Sequence, residues 1–330
     1  MNTCAKLSVI SLYCLVGILE YFLIRISKTT GNNFQNSTVV VLVEISKLLV
    51  SSVLYAPLKN NKDSSRILFY ELIKGENLKS GYLYAIPALL YAIYNNLTLF
   101  NLGQVEPSTF QIFMQSRLFI TSILVYFVLN RSLKLEKWLA LILLASGICL
   151  KNYQFIYLDK TNYLVVCYIL FQASLSSFSS TINEKLFKQD MGQSIFLQNG
   201  YLYFFGSIFN IVFNFNHNHY SQDLSNPYFW AIVICGVTVG LCASFIIKYL
   251  DTVIKSVYST LEIPLTAIIS ALILGTNLSQ LDILSCIIVS FAVCWYSSCS
   301  NVRGRGTAVP LNPLAVSDSR CEIGHIRDKL

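Results

Sequence analysis

Residues 109–130, "TFQIFMQSRLFITSILVYFVLN", are apolar over a length that crosses a lipid bilayer, yet they include a charged side chain. Arg117 lies about a third of the way into this segment, and Gln111 and Gln115 are close to it. A charge in the middle of a membrane costs roughly 2.5–3.5 kcal/mol on insertion scales, and such residues usually serve a function. The segment therefore predicts a membrane-spanning helix whose Arg117 meets an anion.

The composition of the whole chain agrees with a membrane protein. Hydrophobic residues make up 54% of the sequence and charged residues 12%, whereas soluble domains carry about 25% charged residues. Because lipid offers the backbone no hydrogen-bond partners, each apolar run of bilayer length is expected to be a helix. Such runs fall roughly at 7–25, 37–57, 81–102, 108–130, 136–153, 162–184, 195–215, 227–248, 254–275 and 279–298. The sequence predicts an all-α polytopic membrane protein with ten transmembrane helices.

Charge and cysteine usage exclude several other classes. The net charge is +7, but no basic face carries interleaved aromatic residues, so nucleic acid is not an expected partner. Most of the ten cysteines lie inside apolar runs, where Cys acts as a small apolar filler. We predict neither a cofactor nor a metal site.

The distribution of Lys and Arg predicts the orientation. If both termini and the even-numbered loops share one side, that side holds eighteen basic residues and the other side four. The positive side is cytosolic, so both termini are expected in the cytosol. Residues 1–298 form the predicted transmembrane domain. Residues 299–330 are rich in Gly, Pro, Ser and charge and predict a disordered cytosolic tail.

The two halves of the chain, about 1–155 and 160–298, resemble each other. The stretch "VEPSTFQIFMQSRLFITSILVYFVLNRSLKLEKWLALILLASG" matches "VIKSVYSTLEIPLTAIISALILGTNLSQLDILSCIIVSFAV" in its pattern of polar entry, charged apolar span, polar turn and second apolar span. A unit of five helices crosses the membrane an odd number of times, so its copy is inverted. Inverted repeats are typical of secondary transporters, whose substrate site lies near the membrane midplane between the halves.

Polar residues within the spans predict the character of the substrate. By the repeat, Lys255 at the entry of span nine is the counterpart of Arg117 in the other half. The planar guanidinium of Arg suits a phosphate group, and a phosphate or diphosphate between these two cations would lie on the pseudo-symmetry axis. The amides and hydroxyls expected around it are Asn95, Asn199, Ser176 and Ser180, and the rings expected to stack on a base are Tyr91, Phe110 and Tyr203.

Structural interpretations of the same residues remain open. Span hydroxyls often bond to their own backbone, Asn95 and its neighbour Asn96 would hold helices together, and Lys255 would extend to the membrane surface. Glu44 and Lys47, at i,i+3, predict an ion pair within one helix. The acids that would pair with Arg117 in place of a substrate are Glu20, Glu44 and Glu262.

Four stretches of the chain resemble the nucleotide-sugar transporters of the Golgi, in the branch for CMP-sialic acid, UDP-galactose and UDP-N-acetylglucosamine. They are "VVVLVEISKLLVSS", "IPALLYAIYNNLTLFNLGQVEPSTFQIFMQSRLFITSILVYFVLNRSLKLEKWLALILLASG", "NEKLFKQDMGQSIFLQNGYLYFFG" and "KYLDTVIKSV". The resemblance implies a ten-helix, 5+5 fold of the drug/metabolite transporter type. It implies exchange of a cytosolic pyrimidine nucleotide sugar for luminal nucleoside monophosphate across the Golgi or endoplasmic reticulum membrane.

The resemblance also implies a set of binding residues, with some departures from the family pattern. The binding positions fall on Tyr91, Asn95, Phe110, Arg117, Ser176, Ser180, Asn199, Tyr203, Ser244 and Lys255. The family usually has Lys at Arg117 and Tyr at Phe110, and often Arg at Gln198. It has a small residue at Glu262, whose carboxylate would reduce the attraction for a dianion or pair with Lys255.

Other functions remain as alternatives. One is a transporter of this type that carries another anionic solute, and a second is a transport-inactive scaffold that binds partner proteins. A membrane enzyme is disfavoured because His217 and His219 supply too few ligands for a metal centre. Beyond the substrates and the lipid bilayer, a homodimer and complexes with other transporters or glycosyltransferases are left open as partners.

Overall fold

The computed structural model describes residues 3–29, 36–55, 72, 81–102, 113–151, 163–213, 226–261, 265, 268–269 and 280–299. Helices dominate this part of the chain, and no strand occurs in it. The helices are α1 (Thr3–Thr29), α2 (Asn36–Tyr55), α3 (Ala85–Leu102), α4 (Ser116–Leu129), α5 (Leu135–Lys151), α6 (Tyr163–Gln189), α7 (Ile195–Phe213), α8 (Pro227–Tyr249), α9 (Thr252–Ser259) and α10 (Gln280–Ser298). A 3-10 turn at Tyr82–Tyr84 precedes α3.

Several of these helices are suited to a membrane. Among the described residues, α1, α2, α6, α7 and α8 contain segments long and apolar enough to cross a bilayer. Two shorter apolar helical segments are α4 and Ile283–Ser298 of α10. The chain is therefore an all-helical polytopic membrane protein, and the number of spans stays a prediction.

The ends of two helices differ clearly from the predicted runs. The regular part of α4 begins at Ser116, so Arg117 lies in its first turn. Helix α6 continues to Gln189, beyond the predicted end at 184, because Glu184 and Lys188 form an i,i+4 ion pair on its last turns. Helix α9 begins at Thr252, and the predicted end of this span, at 275, lies outside the described residues.

Most of the helix contacts follow a regular scheme, whereas the contact α4–α6 has only a minor counterpart in α1–α9. The most extensive contacts are α1–α8, α3–α6, α2–α7, α5–α10, α4–α6, α3–α7, α2–α8 and α4–α9. Suppose that each helix is replaced by the one five positions away in chain order, α1 by α6, α2 by α7 and so on. The contact α1–α8 then becomes α6–α3, and α2–α8 becomes α7–α3, and both of these contacts are present. The same exchange returns α2–α7, α4–α9 and α5–α10 to themselves.

The helices also meet end to end in a consistent way. Glu184, near the end of α6, bonds with Arg131, which follows α4, and with the backbone of Thr252 at the start of α9. Lys248, near the end of α8, bonds with Gln198 at the start of α7. We call this part of the bundle the Glu184 end.

Aromatic and apolar contacts assign further helices to the same end. The Tyr84 ring, just before α3, lies 6.0 Å from that of Phe187 near the end of α6, and Tyr55 at the end of α2 belongs to the same cluster. The Lys137 ammonium, near the start of α5, lies 4.6 Å from the centre of the Tyr296 ring near the end of α10. Even-numbered helices thus finish, and odd-numbered ones start, towards the Glu184 end.

Candidate substrate-binding site

A cavity of about 310 Å³ lies between helices α1, α2, α3, α6, α7, α8 and α9. Its volume is within the range of small-molecule sites, about 300–1,000 Å³. The wall is largely apolar, with a small number of charged and amide side chains. Such a mixture orients a polar ligand, because each charged group in an apolar wall has few competing partners.

Half of the predicted site residues line this cavity. They are Tyr91, Asn95, Tyr203, Ser244 and Lys255. These five come from four helices, α3, α7, α8 and α9, and lie up to 164 positions apart in sequence (Tyr91 to Lys255). The fold therefore brings together residues that the sequence pattern grouped by chemistry.

The position of Lys255 is set by the start of α9. The Asp251 carboxylate caps this helix by accepting a 2.6 Å hydrogen bond from the Ile254 backbone N–H. Burial raises the pKa of Asp251, and the nearby Glu184 carboxylate raises it further, while the Ile254 hydrogen bond acts in the opposite direction. The cap begins α9 immediately after α8, so Lys255 enters the cavity wall one turn from the Glu184 end.

Tyr203 connects α7 to α8 and to α2. Its hydroxyl is hydrogen-bonded to the Ser244 hydroxyl at 3.0 Å, and the Lys47 ammonium lies 5.0 Å from the centre of its ring. A cation over an aromatic face is stabilising. The two contacts restrain the hydroxyl and the ring of Tyr203 in the cavity wall.

Glu44 and Lys47 form the predicted ion pair within α2, which is confirmed with a separation of 2.6 Å. Both side chains also line the cavity. The small residues opposite make space for them: a Cβ atom on Gly206 would lie 3.1 Å from a Glu44 oxygen, and one on Gly240 would lie 2.7 Å from Lys47 Cδ. The pair is thus both structural and part of the site.

Arg117 is not among the residues that line this cavity. Its Nη2 donates a 2.8 Å hydrogen bond to the Ser259 hydroxyl, one turn after Lys255 on α9. Its Nε is buried without a hydrogen-bond partner among the described residues. The guanidinium thus reaches the same helix as Lys255 and keeps an unused donor.

The other predicted residues are placed differently. The Ser180 hydroxyl donates to the carbonyl of Ser176 at 2.8 Å, which is the structural alternative considered for it. Neither serine, nor Asn199, belongs to the cavity lining. Asn199 is fully buried, and its amide nitrogen and oxygen lack hydrogen-bond partners within the described part of the chain. Phe110 and Glu262 lie outside the described residues.

Several cavity residues were absent from the predicted site. Asn183 lines the cavity with a buried side-chain oxygen that accepts no hydrogen bond from the described residues. Glu20 lines it as well, and its Oε1 would lie 3.4 Å from a Cβ atom on Gly236. A signal for this wall exists in the sequence, because Gly236 and Gly240 form a G-x-x-x-G pattern typical of close helix packing in membranes.

A charged network joins the helices at the Glu184 end. The buried Glu184 carboxylate accepts from Lys188 at 2.7 Å, from Arg131 at 3.1 Å and from the Thr252 backbone N–H at 2.8 Å. The Lys188 ammonium also donates to the Leu250 carbonyl. One carboxylate therefore ties together α4, α6 and the junction between α8 and α9.

Lys248 forms a second network at this end. Its buried ammonium donates to the Gln198 side-chain oxygen at 2.6 Å and to the Gln193 carbonyl at 2.7 Å. The Gln198 amide donates in turn to the Asp190 carbonyl at 3.1 Å. Gln198, at a position where the resemblance led us to expect Arg, is thus an acceptor for a buried cation.

Metal ligation finds no support in the described residues, where no group of three His, Cys, Asp or Glu side chains is suitably placed. His217 and His219 lie outside that part of the chain. The fold and the cavity together define a polytopic membrane protein with a ligand-sized, charged chamber between its helices, as in membrane carriers.

Comparison with known proteins identifies the family. The family model described as "Nucleotide-sugar transporter" matches residues 2–297. The UDP-galactose transporter senju of Drosophila melanogaster is 27% identical, covering 92% of this chain and 89% of the relative. The CMP-sialic acid transporter 5 of Oryza sativa subsp. japonica is 28% identical over 81% of this chain and 69% of the relative. The human UDP-N-acetylglucosamine transporter is 28% identical over 74% of this chain and 79% of the relative.

The chain therefore belongs to the nucleotide-sugar transporter family, and the family predicted from its four stretches is confirmed. These relatives are transporters by name, in keeping with the prediction of a protein that is not an enzyme. One solved crystal structure matches this chain with a TM-score of 0.66 and 12% sequence identity. The match covers 87% of this chain and 96% of the chain in that structure. That likeness concerns the fold alone.

Proposed function

We propose that this protein is an antiporter that exchanges a cytosolic pyrimidine nucleotide sugar for luminal nucleoside monophosphate across the Golgi membrane. The observation that carries the proposal is the cavity itself, in which Lys255, Tyr91, Asn95, Tyr203 and Ser244 meet. A cation for phosphate, tyrosines for a base, and an amide and a hydroxyl for polar groups match the chemistry of a nucleotide.

Lys255 is the primary phosphate ligand in this proposal. Arg117 contributes when its guanidinium leaves Ser259 and turns its donors towards the bound phosphate. The unused Nε donor and the shared contact with α9 support this role. A phosphate between the two cations offsets their mutual repulsion, which favours closure around the substrate.

The proposed architecture is a 5+5 inverted repeat. The exchange relation among the helix contacts supports it, as do the helix ends that alternate at the Glu184 end. Helices five positions apart in chain order then run in opposite directions, which gives two halves of the same shape and opposite orientation. Rocking of one half against the other would expose the cavity to each side in turn.

The Glu184 end is the proposed cytosolic end. Arg131, Lys188 and Lys248 lie there, and the side rich in basic residues is cytosolic. Both termini are accordingly cytosolic. The network around Glu184 must break when this end opens, so it favours the state closed to the cytosol.

Exchange in proteoliposomes tests the proposal. Vesicles with the purified chain and internal UMP should take up labelled UDP-galactose, UDP-N-acetylglucosamine or CMP-sialic acid much faster than vesicles without internal nucleotide. Lys255→Ala should abolish this uptake, because the phosphate loses its cation, whereas Lys185→Ala, at an exposed position on α6, should not. Equal uptake with and without internal UMP would overturn antiport, and full activity of Lys255→Ala would overturn the site.

A further inference from the structure

The cavity is electrically polarised along the axes of the helices that line it. Lys255 lies one turn into α9, near the Glu184 end. Glu20 faces Gly236, thirteen residues before the last residue of α8, which is about 20 Å at 1.5 Å per residue. The two charged side chains therefore occupy opposite ends of one chamber.

The negative end is not neutralised by a close ion pair. Of the two acids in the lining, Glu44 binds Lys47 at 2.6 Å. Glu20, the other acid, makes no ion pair and no hydrogen bond with the described residues. A carboxylate in an apolar membrane region requires a donor, and a ligand in the cavity would supply one.

The positions of the aromatic rings in the cavity indicate which part of a substrate reaches Glu20. Tyr91 lies in the first half of α3, and Tyr203 bonds to Ser244 in the last turns of α8, so both lie towards Lys255. Towards Glu20, the lining includes Gly236, which packs against the Val43 side chain, and the small or branched apolar residues Val39 and Val40. A base therefore stacks near the phosphate site, and the sugar extends towards Glu20.

From this arrangement we infer that Glu20 is a specificity residue, which accepts hydrogen bonds from the hydroxyls of an uncharged sugar and rejects a sugar that bears a carboxylate. The inference rests on the proposed function and narrows its substrate class to nucleotides joined to a neutral sugar. Rejection follows because two carboxylates in an apolar wall repel each other, and like charges brought together in a binding site are a common means of excluding wrong ligands.

A matched pair of ligands isolates this effect. UDP-galactose and UDP-galacturonic acid differ in one group, a hydroxymethyl in place of a carboxylate. Dissociation constants for both, and for UMP, are measured by calorimetry on the purified full chain. The wild type should bind UDP-galactose about tenfold more tightly than the acid sugar, while Glu20→Gln should bring the ratio close to one and leave the UMP constant unchanged.

Two further variants complete the experiment. Glu20→Leu removes both the charge and the hydrogen-bond acceptor, so it should weaken the binding of UDP-galactose and leave the binding of UMP unchanged. It tests the inference even where Glu20→Gln fails to fold. Glu136→Gln, an exposed acid on α5, should leave all three constants as in the wild type.

The outcomes distinguish the role of Glu20 from the proposed transport function. A ratio unchanged by Glu20→Gln, or an equal loss of UMP and UDP-galactose affinity in Glu20→Leu, would overturn the role of Glu20 while UMP binding and its loss in Lys255→Ala still support the proposed function. If the wild type binds neither UMP nor any UDP-sugar, the proposed function fails, and the inference fails with it.

Discussion

At the scale of single residues, the charged side chains that line the cavity differ in their contacts and therefore in their roles. Lys47 forms an ion pair with Glu44 and lies over the Tyr203 ring, so its charge is already balanced by groups of the protein. Lys255 sits at the wall beside the capped start of α9. A buried ion pair adds little to stability in general, and here it defines the shape of one wall of the cavity.

Arg117 provides the first residue-scale prediction. Arg117→Ala should lower nucleotide exchange by about 10- to 100-fold, since a charge-assisted hydrogen bond is worth about 1.5–3 kcal/mol. Arg117→Lys, which restores the family residue, should retain most of the exchange. The measurement is uptake of labelled substrate into UMP-loaded proteoliposomes, alongside the thermal unfolding temperature of each variant.

Ser259→Ala serves as the control for this prediction. It removes the present partner of the Arg117 guanidinium and leaves the charge in place, so exchange should stay close to that of the wild type. Full exchange by a folded Arg117→Ala protein would show that the guanidinium has no part in phosphate binding.

At the scale of elements, close packing between halves depends on small residues. Gly147 on α5 faces α10, where an added Cβ would lie 2.9 Å from Ile288 Cγ2 and 3.0 Å from Val289 Cγ2. The Ser285 hydroxyl donates to the Gly147 carbonyl at 2.7 Å. Because β-branched side chains have few rotamers to which they can retreat, the helices must separate to admit a larger residue.

Gly147→Leu should therefore destabilise the α5–α10 pair by about 1–3 kcal/mol, as overpacking does in cores. The unfolding temperature in detergent measures the effect. Cys149→Leu is the matched control, because it adds volume at an exposed position of the same helix. Equal unfolding temperatures for the two variants would mean that α5 and α10 are not held this closely.

The Glu184 network supports a second element-scale prediction. Glu184→Gln removes the charge that binds Lys188 and Arg131, so it should cost about 1–3 kcal/mol of stability, the penalty for a buried polar group left unsatisfied. Lys185→Gln, at the exposed position next to it, should change little. Urea or thermal unfolding measures the stability of the two purified variants. Equal stability of the two would show that the Glu184 network does not hold these helices together.

At the scale of the whole molecule, the alternation of helix ends assigns exposed sites to opposite faces. Ser132 follows α4 and Gln189 ends α6, and both are exposed at or near the Glu184 end. Pro227 begins α8, which finishes at the Glu184 end, so Pro227 lies at the opposite face.

Cysteine labelling tests this arrangement and the orientation together. In a cysteine-free background, Ser132→Cys and Gln189→Cys should react with an impermeant maleimide added to sealed Golgi vesicles whose cytosolic face is outside. Pro227→Cys should react only after detergent is added. Labelling of Ser132→Cys and Pro227→Cys from the same face would contradict the alternation of helix ends.

Much of the element scale was predictable from the sequence. Within the described residues, the apolar runs located most of the helices to within a few residues, because a bilayer imposes both their length and their internal hydrogen bonding. The i,i+3 spacing of Glu44 and Lys47 predicted their ion pair correctly, since neighbours on one helix face are determined by helix geometry. The extension of α6 beyond residue 184 was missed, because besides the local pair with Lys188 the buried Glu184 carboxylate is satisfied by Arg131 and Thr252, which are distant in the sequence.

The site was predictable only in part, and the reason is again physical. Composition, span positions and residue types along each helix determined the membrane class and the candidates Lys255 and Tyr203, because these follow from local chemistry. Which polar side chains share one chamber was decided by tertiary structure alone. Glu20 and Asn183 reach the cavity only because Gly236 lets α1 and α2 approach α8 and because α6 packs beside α9, and contacts between distant helices leave no periodic trace in a single sequence.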